Sequence, residues 1–162
     1  MPEKVSLFLP DQNATIALGG KLGRFFSCRA VYPAVLFRGE LGAGKTTMIR
    51  GIVSVLPGGD QAEISSPSFN LVNIYPTSPQ TAHVDLYRLA GMDPDEFVQE
   101  ILLNQHMLVL VEWSEYLSPG LTPADRIEIA LSFSGESRTA VFAFHGTGEQ
   151  FFSLIKCSDV EE

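Results

Sequence analysis

Cysteine is nearly absent. Cys28 and Cys157 are the only two in 162 residues, and they form no C-x-x-C pair. This excludes a disulfide framework or a thiolate zinc site as an organising element and points to a reducing compartment. Positive charge is also scarce: 11 lysines and arginines face 19 aspartates and glutamates, a net charge of −8. Such a balance argues against direct binding to nucleic acid. No apolar run approaches the ~20 residues that span a bilayer, and the longest, Met107 to Val111, stops at Glu112. The opening Met-Pro-Glu-Lys lacks a basic-then-apolar signal layout, so a cytoplasmic chain without membrane attachment is expected. What is present is core-forming: 45 % hydrophobic against 19 % charged residues, which excludes disorder and suits one domain. That domain is expected over 1–158, with Asp159-Val160-Glu161-Glu162 as an acidic tail.

The charges are unevenly placed. Residues 1–56 hold seven lysines and arginines against three acids. Residues 89–125 hold seven acids (Asp93, Asp95, Glu96, Glu100, Glu112, Glu115, Asp125) and no lysine or arginine. A one-sign stretch is most simply a solvated face; the alternative is a docking surface for a basic partner.

Local patterning reads as strands alternating with helices. Asp11 is a candidate N-cap for a helix whose apolar positions are Ala14, Ala17, Leu18, Leu22 and Phe25. Ala34 to Phe37 is a short buried strand running into a glycine-rich turn. Met48, Ile49, Ile52, Val53 and Leu56 then mark a second helix, which Pro57-Gly58-Gly59 ends. Strands are expected over 69–75 and 81–86, and a helix over 94–104, with Asp93 as its cap and Pro94 in its first turn. The run 107–111 reads as a strand covered on both faces, and 126–131 with 138–144 as a hairpin. The whole is an α/β domain with a mixed sheet flanked by helices.

Residues 39–46 read Gly39-Glu40-Leu41-Gly42-Ala43-Gly44-Lys45-Thr46, matching G-x-x-x-x-G-K-[ST] at every position. The spacing has a chemical reason. Glycines let successive N–H groups face an anion, and the following helix adds the positive end of its dipole. Lys45 supplies a point charge for phosphates, and the Thr46 hydroxyl is placed to ligate Mg²⁺. Such a loop needs acidic partners for metal and water. Glu112 ends the apolar run 108–111 and Asp85 ends Ala82-His83-Val84, the two strand-end positions where those acids belong. Ser65-Ser66-Pro67-Ser68 lies between loop and acids, where a segment sensing the terminal phosphate would sit. His83 alone reads as an ordinary strand residue, and Trp113 as core or as a nucleotide neighbour. No Asn-Lys pair is available for an N-K-x-D guanine motif, and no D-x-x-G follows the loop. ATP is favoured over GTP.

Four pieces occur in order: Gly39 to Thr47, Ser66-Pro67-Ser68-Phe69-Asn70-Leu71-Val72 with Tyr75, His83-Val84-Asp85-Leu86-Tyr87-Arg88-Leu89, and Val111-Glu112-Trp113. Together they resemble the TsaE (YjeE) family, the bacterial P-loop ATPases of tRNA threonylcarbamoyladenosine synthesis. Leu9 to Thr15, with Leu18-Gly19, resembles the family's N-terminal segment, which helps hold adenine and brings in Asp11 and Thr15. The resemblance implies a small P-loop domain with antiparallel strands added to a parallel core. It implies that residues 39–47 cradle ATP, that Lys45 serves catalysis, and that Thr46, Asp85 and Glu112 hold Mg²⁺ and water. Ser68 would stand where the family usually has threonine, and Trp113 would support the nucleotide. Its implied partners are TsaD, which transfers the threonylcarbamoyl group, and TsaB, with tRNA reached only through them. The sequence departs from the family pattern at Ser68 and at Asp11-Gln12-Asn13, which lacks the usual second acid.

Two other functions compete. A small-metabolite kinase would share the loop but wants arginines on a lid; after Arg88 only Arg126 and Arg138 remain, both in strand-like segments. A non-catalytic nucleotide-dependent adaptor would share the loop and hydrolyse only incidentally.

Overall fold

The apolar run ending at Glu112 becomes the most buried strand among the described residues, with every residue of Leu108–Glu112 buried. The structure, a computed structural model, describes residues 1–67 and 70–157. Its strands are β1 (Lys4–Leu9), β2 (Ala34–Arg38), β3 (Val72–Tyr75), β4 (Thr81–Asp85), β5 (Leu108–Glu112), β6 (Arg126–Ser134) and β7 (Ser137–His145). Helices are α1 (Gln12–Phe26), α2 (Lys45–Ser54), α3 (Glu96–Leu102) and α4 (Phe152–Lys156).

All seven strands join one sheet in the order β1-β7-β6-β2-β5-β4-β3. β2 is parallel to both β5 and β6, and β4 is parallel to β5. The outer pairs β1–β7, β6–β7 and β3–β4 are antiparallel. The expected mixed sheet with a parallel core is therefore what forms. Alternation explains why its central strands are apolar throughout. Val35, Phe37, Leu108 and Leu110 face α1 and α2, while Ala34, Leu36, Val109 and Val111 face α3.

Several expectations need correction. On α1 the expected Leu18 and Leu22 are buried and Ala14 and Phe25 pack against the core, but Ala17 is exposed, and the buried face also takes in Thr15, Gly19, Gly20, Gly23 and Phe26. Glycine is invisible to an apolar-periodicity reading, yet here it lets two helix backbones touch. A Cβ on Gly51 would lie 2.3 Å from the Ile16 carbonyl oxygen, so α2 is seated directly on α1. The third helix is capped by Asp95 rather than Asp93. Asp95 accepts from the Val98 N–H at 3.0 Å and starts the helix at Glu96, two residues later than Pro94 suggested. The strand expected over 69–75 begins at Val72; Phe69 lies outside the described residues. Asp11 caps α1 as expected, accepting from Ala14 N–H at 2.8 Å, and the 126–144 hairpin forms with longer arms. β1 and α4 had no counterpart in the sequence reading. The acidic tail 159–162 also lies outside the described residues.

Candidate nucleotide site

The site gathers where the parallel strands end. β2 runs into the glycine loop, and β4 and β5 end side by side, with Asp85 and Glu112 paired in register. The carboxyl ends of parallel strands are where ligands bind in open α/β sheets. Two glycines fix the loop's course. Gly39, at φ 145°, passes so close to β6 that a Cβ would stand 2.4 Å from the Leu131 carbonyl oxygen. Gly44, at φ 106°, turns the chain left-handedly into α2 with no side-chain cap, leaving that helix's first N–H groups open.

Lys45 is buried at 5 % exposure. Its ammonium curls back to donate to the carbonyls of Gly39 and Glu40 and sits 4.1 Å from the centroid of the Trp113 ring. Burial lowers its pKa, and the charges of Glu112, Glu115 and Asp85 oppose that shift. One carboxylate oxygen, Oε1 of Glu112, collects the remaining polar groups. Thr46 Oγ1 donates to it at 2.6 Å, Nε2 of His83 lies at 2.9 Å and Ser66 Oγ at 3.5 Å, with Ser66 also 2.9 Å from Thr46. Burial by itself would raise the Glu112 pKa. The hydrogen bond and charge of His83 outweigh it, helped by Thr46 and Lys45, and hold the carboxyl below its ordinary value. Asp85 behaves oppositely: burial raises it, only partly offset by the Tyr87 N–H, which donates to its carboxylate at 2.9 Å.

Trp113 follows directly with φ 57°, a left-handed conformation that costs a bulky residue free energy. Its indole packs between Tyr87 and Tyr116, at 4.8 and 6.0 Å between centroids. Ser114 Oγ donates to the Phe37 carbonyl at 3.0 Å and so ties this turn to the end of β2.

A cavity of about 390 Å³ opens above these groups, within the usual range for small ligands. Of the residues singled out in the sequence, Thr15, Leu41, Gly42, Gly44, Lys45, Thr46, Thr47, Asp85, Glu112 and Trp113 line it. Asp11 does not; it caps α1 and borders a neighbouring groove. Gly39 and Glu40 act from behind through their carbonyls, and Ala43 is buried beneath the loop at 1 % exposure. Ser68 lies outside the described residues.

Ser66, from the segment expected to sense the terminal phosphate, also lines it, as do three residues that the sequence offered no reason to expect: Gln12, Tyr87 and Arg138. Gln12 and Tyr87 sit beside motif positions, whereas Arg138 carries no local signal. It comes from the far hairpin and reaches the loop only through the sheet, with Nη2 3.4 Å from the Gly42 carbonyl oxygen. Thr46, Ser66, Asp85 and Glu112 offer oxygen donors alone, the ligand chemistry Mg²⁺ takes. These residues fit that ion. Among the described residues there is no group of three or more His, Cys, Asp or Glu side chains that could hold a metal, and none of the helices is long and apolar enough to cross a membrane.

A mixed sheet with a parallel core, a G-x-x-x-x-G-K-T loop after its central strand and carboxylates on the next two strand ends define a P-loop fold. The crystal structure of Bacillus subtilis YdiB superposes with a TM-score of 0.73 over 98 % of each chain at 20 % identity, a likeness of fold. The family model "Threonylcarbamoyl adenosine biosynthesis protein TsaE" matches residues 9–140. The tRNA threonylcarbamoyladenosine biosynthesis protein TsaE of Haemophilus influenzae is 30 % identical over 140 residues, covering 84 % of this chain and 87 % of that one. Its namesake from Nostoc is 32 % identical over 145 residues, covering 83 % and 82 %. The chain belongs to the TsaE family of tRNA threonylcarbamoyladenosine biosynthesis.

Proposed function

We propose that the chain binds and hydrolyses ATP with Mg²⁺, and that its nucleotide state drives tRNA threonylcarbamoyladenosine modification through TsaB and TsaD. One observation carries this reading: Thr46 of the loop and Glu112 of the neighbouring strand end meet at 2.6 Å on the wall that also holds Lys45. In this reading the open N–H groups of the loop and α2 bind the phosphates. Lys45 leaves the Gly39 and Glu40 carbonyls for the phosphate oxygens. Thr46, Asp85 and Glu112 hold the metal, which when bound spreads the negative charge of the transferring phosphoryl group. Glu112, kept ionised by its donors, orients the attacking water. Trp113 and Tyr87 shield that face from bulk solvent.

The test is ATP hydrolysis by the purified chain with Mg²⁺, alone and with the TsaB–TsaD pair. Slow turnover that the pair accelerates supports the proposal. Glu112→Gln should keep nucleotide affinity and lose about 10²-fold or more in turnover, the scale of a positioned acid–base group. If the modification cycle runs unchanged in that variant, the adaptor reading replaces this one. The metabolite-kinase reading gains one arginine at the cavity, Arg138, but that residue is fixed on a strand rather than carried by a lid. An acceptor that becomes phosphorylated while speeding ATP consumption would favour it.

A further inference from the structure

His83 looks like sheet filling in the sequence, yet it is a fully buried polar side chain with both ring nitrogens engaged. Nε2 lies 2.9 Å from Glu112 Oε1, and a carboxylate only accepts, so the imidazole donates there. Nδ1 lies 2.8 Å from the Tyr75 hydroxyl. That hydroxyl is in turn 3.3 Å from the Ser65 carbonyl oxygen. The next residue, Ser66, returns to Thr46 at 2.9 Å and to Glu112 at 3.5 Å. The polar groups thus form a closed ring: Glu112, His83, Tyr75, Ser65–Ser66 and back to Glu112. Its two inner members are held by the sheet. Tyr75 and His83 lie on adjacent antiparallel strands, Tyr75 opposite Thr81 and Asn73 opposite His83, and both side chains are buried.

We infer that Tyr75 and His83 are positioning residues that couple the 65–66 segment to the orientation of the Glu112 carboxylate. Ser66 touches Thr46 and lines the nucleotide cavity, so ligand that displaces it also moves Ser65. The pull passes through a buried hydroxyl and imidazole to the carboxylate that faces the same ligand. The path has two short hydrogen bonds between buried groups, 2.9 and 2.8 Å, and a longer one of 3.3 Å to Ser65 at the surface. The single Tyr75 hydroxyl proton is shared between His83 Nδ1 and the Ser65 carbonyl, so a change at one end alters the bond at the other. His83 would thus set when Glu112 is aligned, without touching the substrate. The inference rests on the ATPase reading for its consequence in turnover, but the coupling itself can be read without nucleotide.

Two measurements test it. The first is the carboxyl-carbon chemical shift of Glu112 in the nucleotide-free protein, with Tyr75→Phe, which keeps the ring but removes the hydroxyl that joins His83 to Ser65. Coupling predicts that the Glu112 resonance moves although Tyr75 makes no hydrogen bond to that carboxylate; an unmoved resonance in a variant that still melts cooperatively overturns the inference. The second is steady-state ATP hydrolysis. Tyr75→Phe, which deletes one oxygen, should lower kcat by about tenfold while KM and nucleotide affinity stay within about twofold, the signature of misplacement rather than lost binding. His83→Gln places an amide where Nε2 stood and should retain several times the kcat of His83→Leu. Equal kcat in Tyr75→Phe and wild type, or in the two His83 variants, overturns it. If the wild type hydrolyses no ATP, the function proposed above fails, and the Glu112 resonance in Tyr75→Phe still decides the coupling.

Discussion

The Lys45 ammonium rests 4.1 Å from the centre of the Trp113 indole, and Trp113 holds that position with a left-handed backbone at φ 57°. Strain and function therefore meet at one residue, and substitution separates them. Trp113→Ala and Trp113→Gly both remove the indole, but only glycine relaxes at positive φ. Both should weaken nucleotide binding by up to about tenfold, the scale of a partly desolvated cation–π contact and its stacking. In urea unfolding Trp113→Gly should be more stable than Trp113→Ala by about 1 kcal/mol. Equal stabilities would mean that position 113 stores no strain.

Lys45 carries a related expectation of opposite sign for stability. Burial lowers its pKa, so holding the ammonium there costs free energy in the free protein. Lys45→Ala should leave the unfolding midpoint unchanged or slightly raised. Nucleotide affinity should fall by about 10- to 100-fold, the loss of charge-assisted hydrogen bonds to phosphate. Calorimetric titration of ATP beside a thermal melt reads both. A variant that unfolds would make Lys45 a structural residue.

The seat of α2 on α1 gives a paired test. A Cβ on Gly51 would lie 2.3 Å from a backbone oxygen of α1, whereas one on Gly20 meets nothing nearer than 3.5 Å, and that neighbour is the end of the Arg24 side chain. Alanine favours a helix over glycine by about 1 kcal/mol. Gly20→Ala should therefore stabilise by up to that amount. Gly51→Ala should destabilise by about 1–3 kcal/mol, because the helices must part, and should displace the loop that α2 carries. Thermal melts of the two variants should shift in opposite directions.

The same contact marks where the sequence stops being legible. The loop, Thr46, Glu112 and Asp85 were readable because each sits at a fixed offset within a local pattern: a strand end, a turn, a helix start. The glycines by which α1 meets α2 were not, since glycine carries no hydrophobic signal. The cap of α3 was misplaced because Asp93 and Asp95 both precede the helix, and only the Val98 N–H decides between them. Arg138 and the partnership of His83 with Tyr75 depend on which strands lie side by side. That order, with β6 beside β2 and β4 beside β5, is a long-range property that no window of the chain contains.

Glu128 offers a pH test away from the site. Burial would raise its carboxyl, but the Arg126 guanidinium at 2.7 Å, together with Arg38 and His145, holds it below the ordinary value. The folded protein thus binds this proton less tightly than the unfolded chain, where a glutamate titrates near about 4.3. Its stabilisation is complete above that pH and fades as the pH falls toward the lower folded value. Glu128→Gln should cost up to about 1 kcal/mol at neutral pH, as for a partly exposed ion pair. The gap from wild type in urea unfolding should close as the pH drops below 4.3. A gap that stays constant with pH would mean that packing, not charge, explains the loss.

The acidic stretch 89–125 supplies the last prediction, which belongs to the proposed TsaB–TsaD partnership. Within it Asp93, Glu96 and Glu100 are exposed, and beside them Met92, Phe97 and Leu103 stand more than 60 % exposed. Acids interleaved with uncovered apolar side chains suit a partner with a basic rim and an apolar centre better than they suit plain solvation. Asp95 must be left alone, because it caps α3 and its reversal would unravel the helix that carries the face. Reversing Asp93, Glu96 and Glu100 to lysine should therefore weaken association with the pair, with only a small fall in the melt from the acid lost in the first turn of α3. The loss should be greater at low salt than at high salt, since these exposed charges act through a screened field. Phe97→Ala should weaken association equally at both ionic strengths. Affinity unchanged in the triple variant would leave the stretch as a solvated face, and a loss independent of salt would assign its effect to the apolar contacts alone.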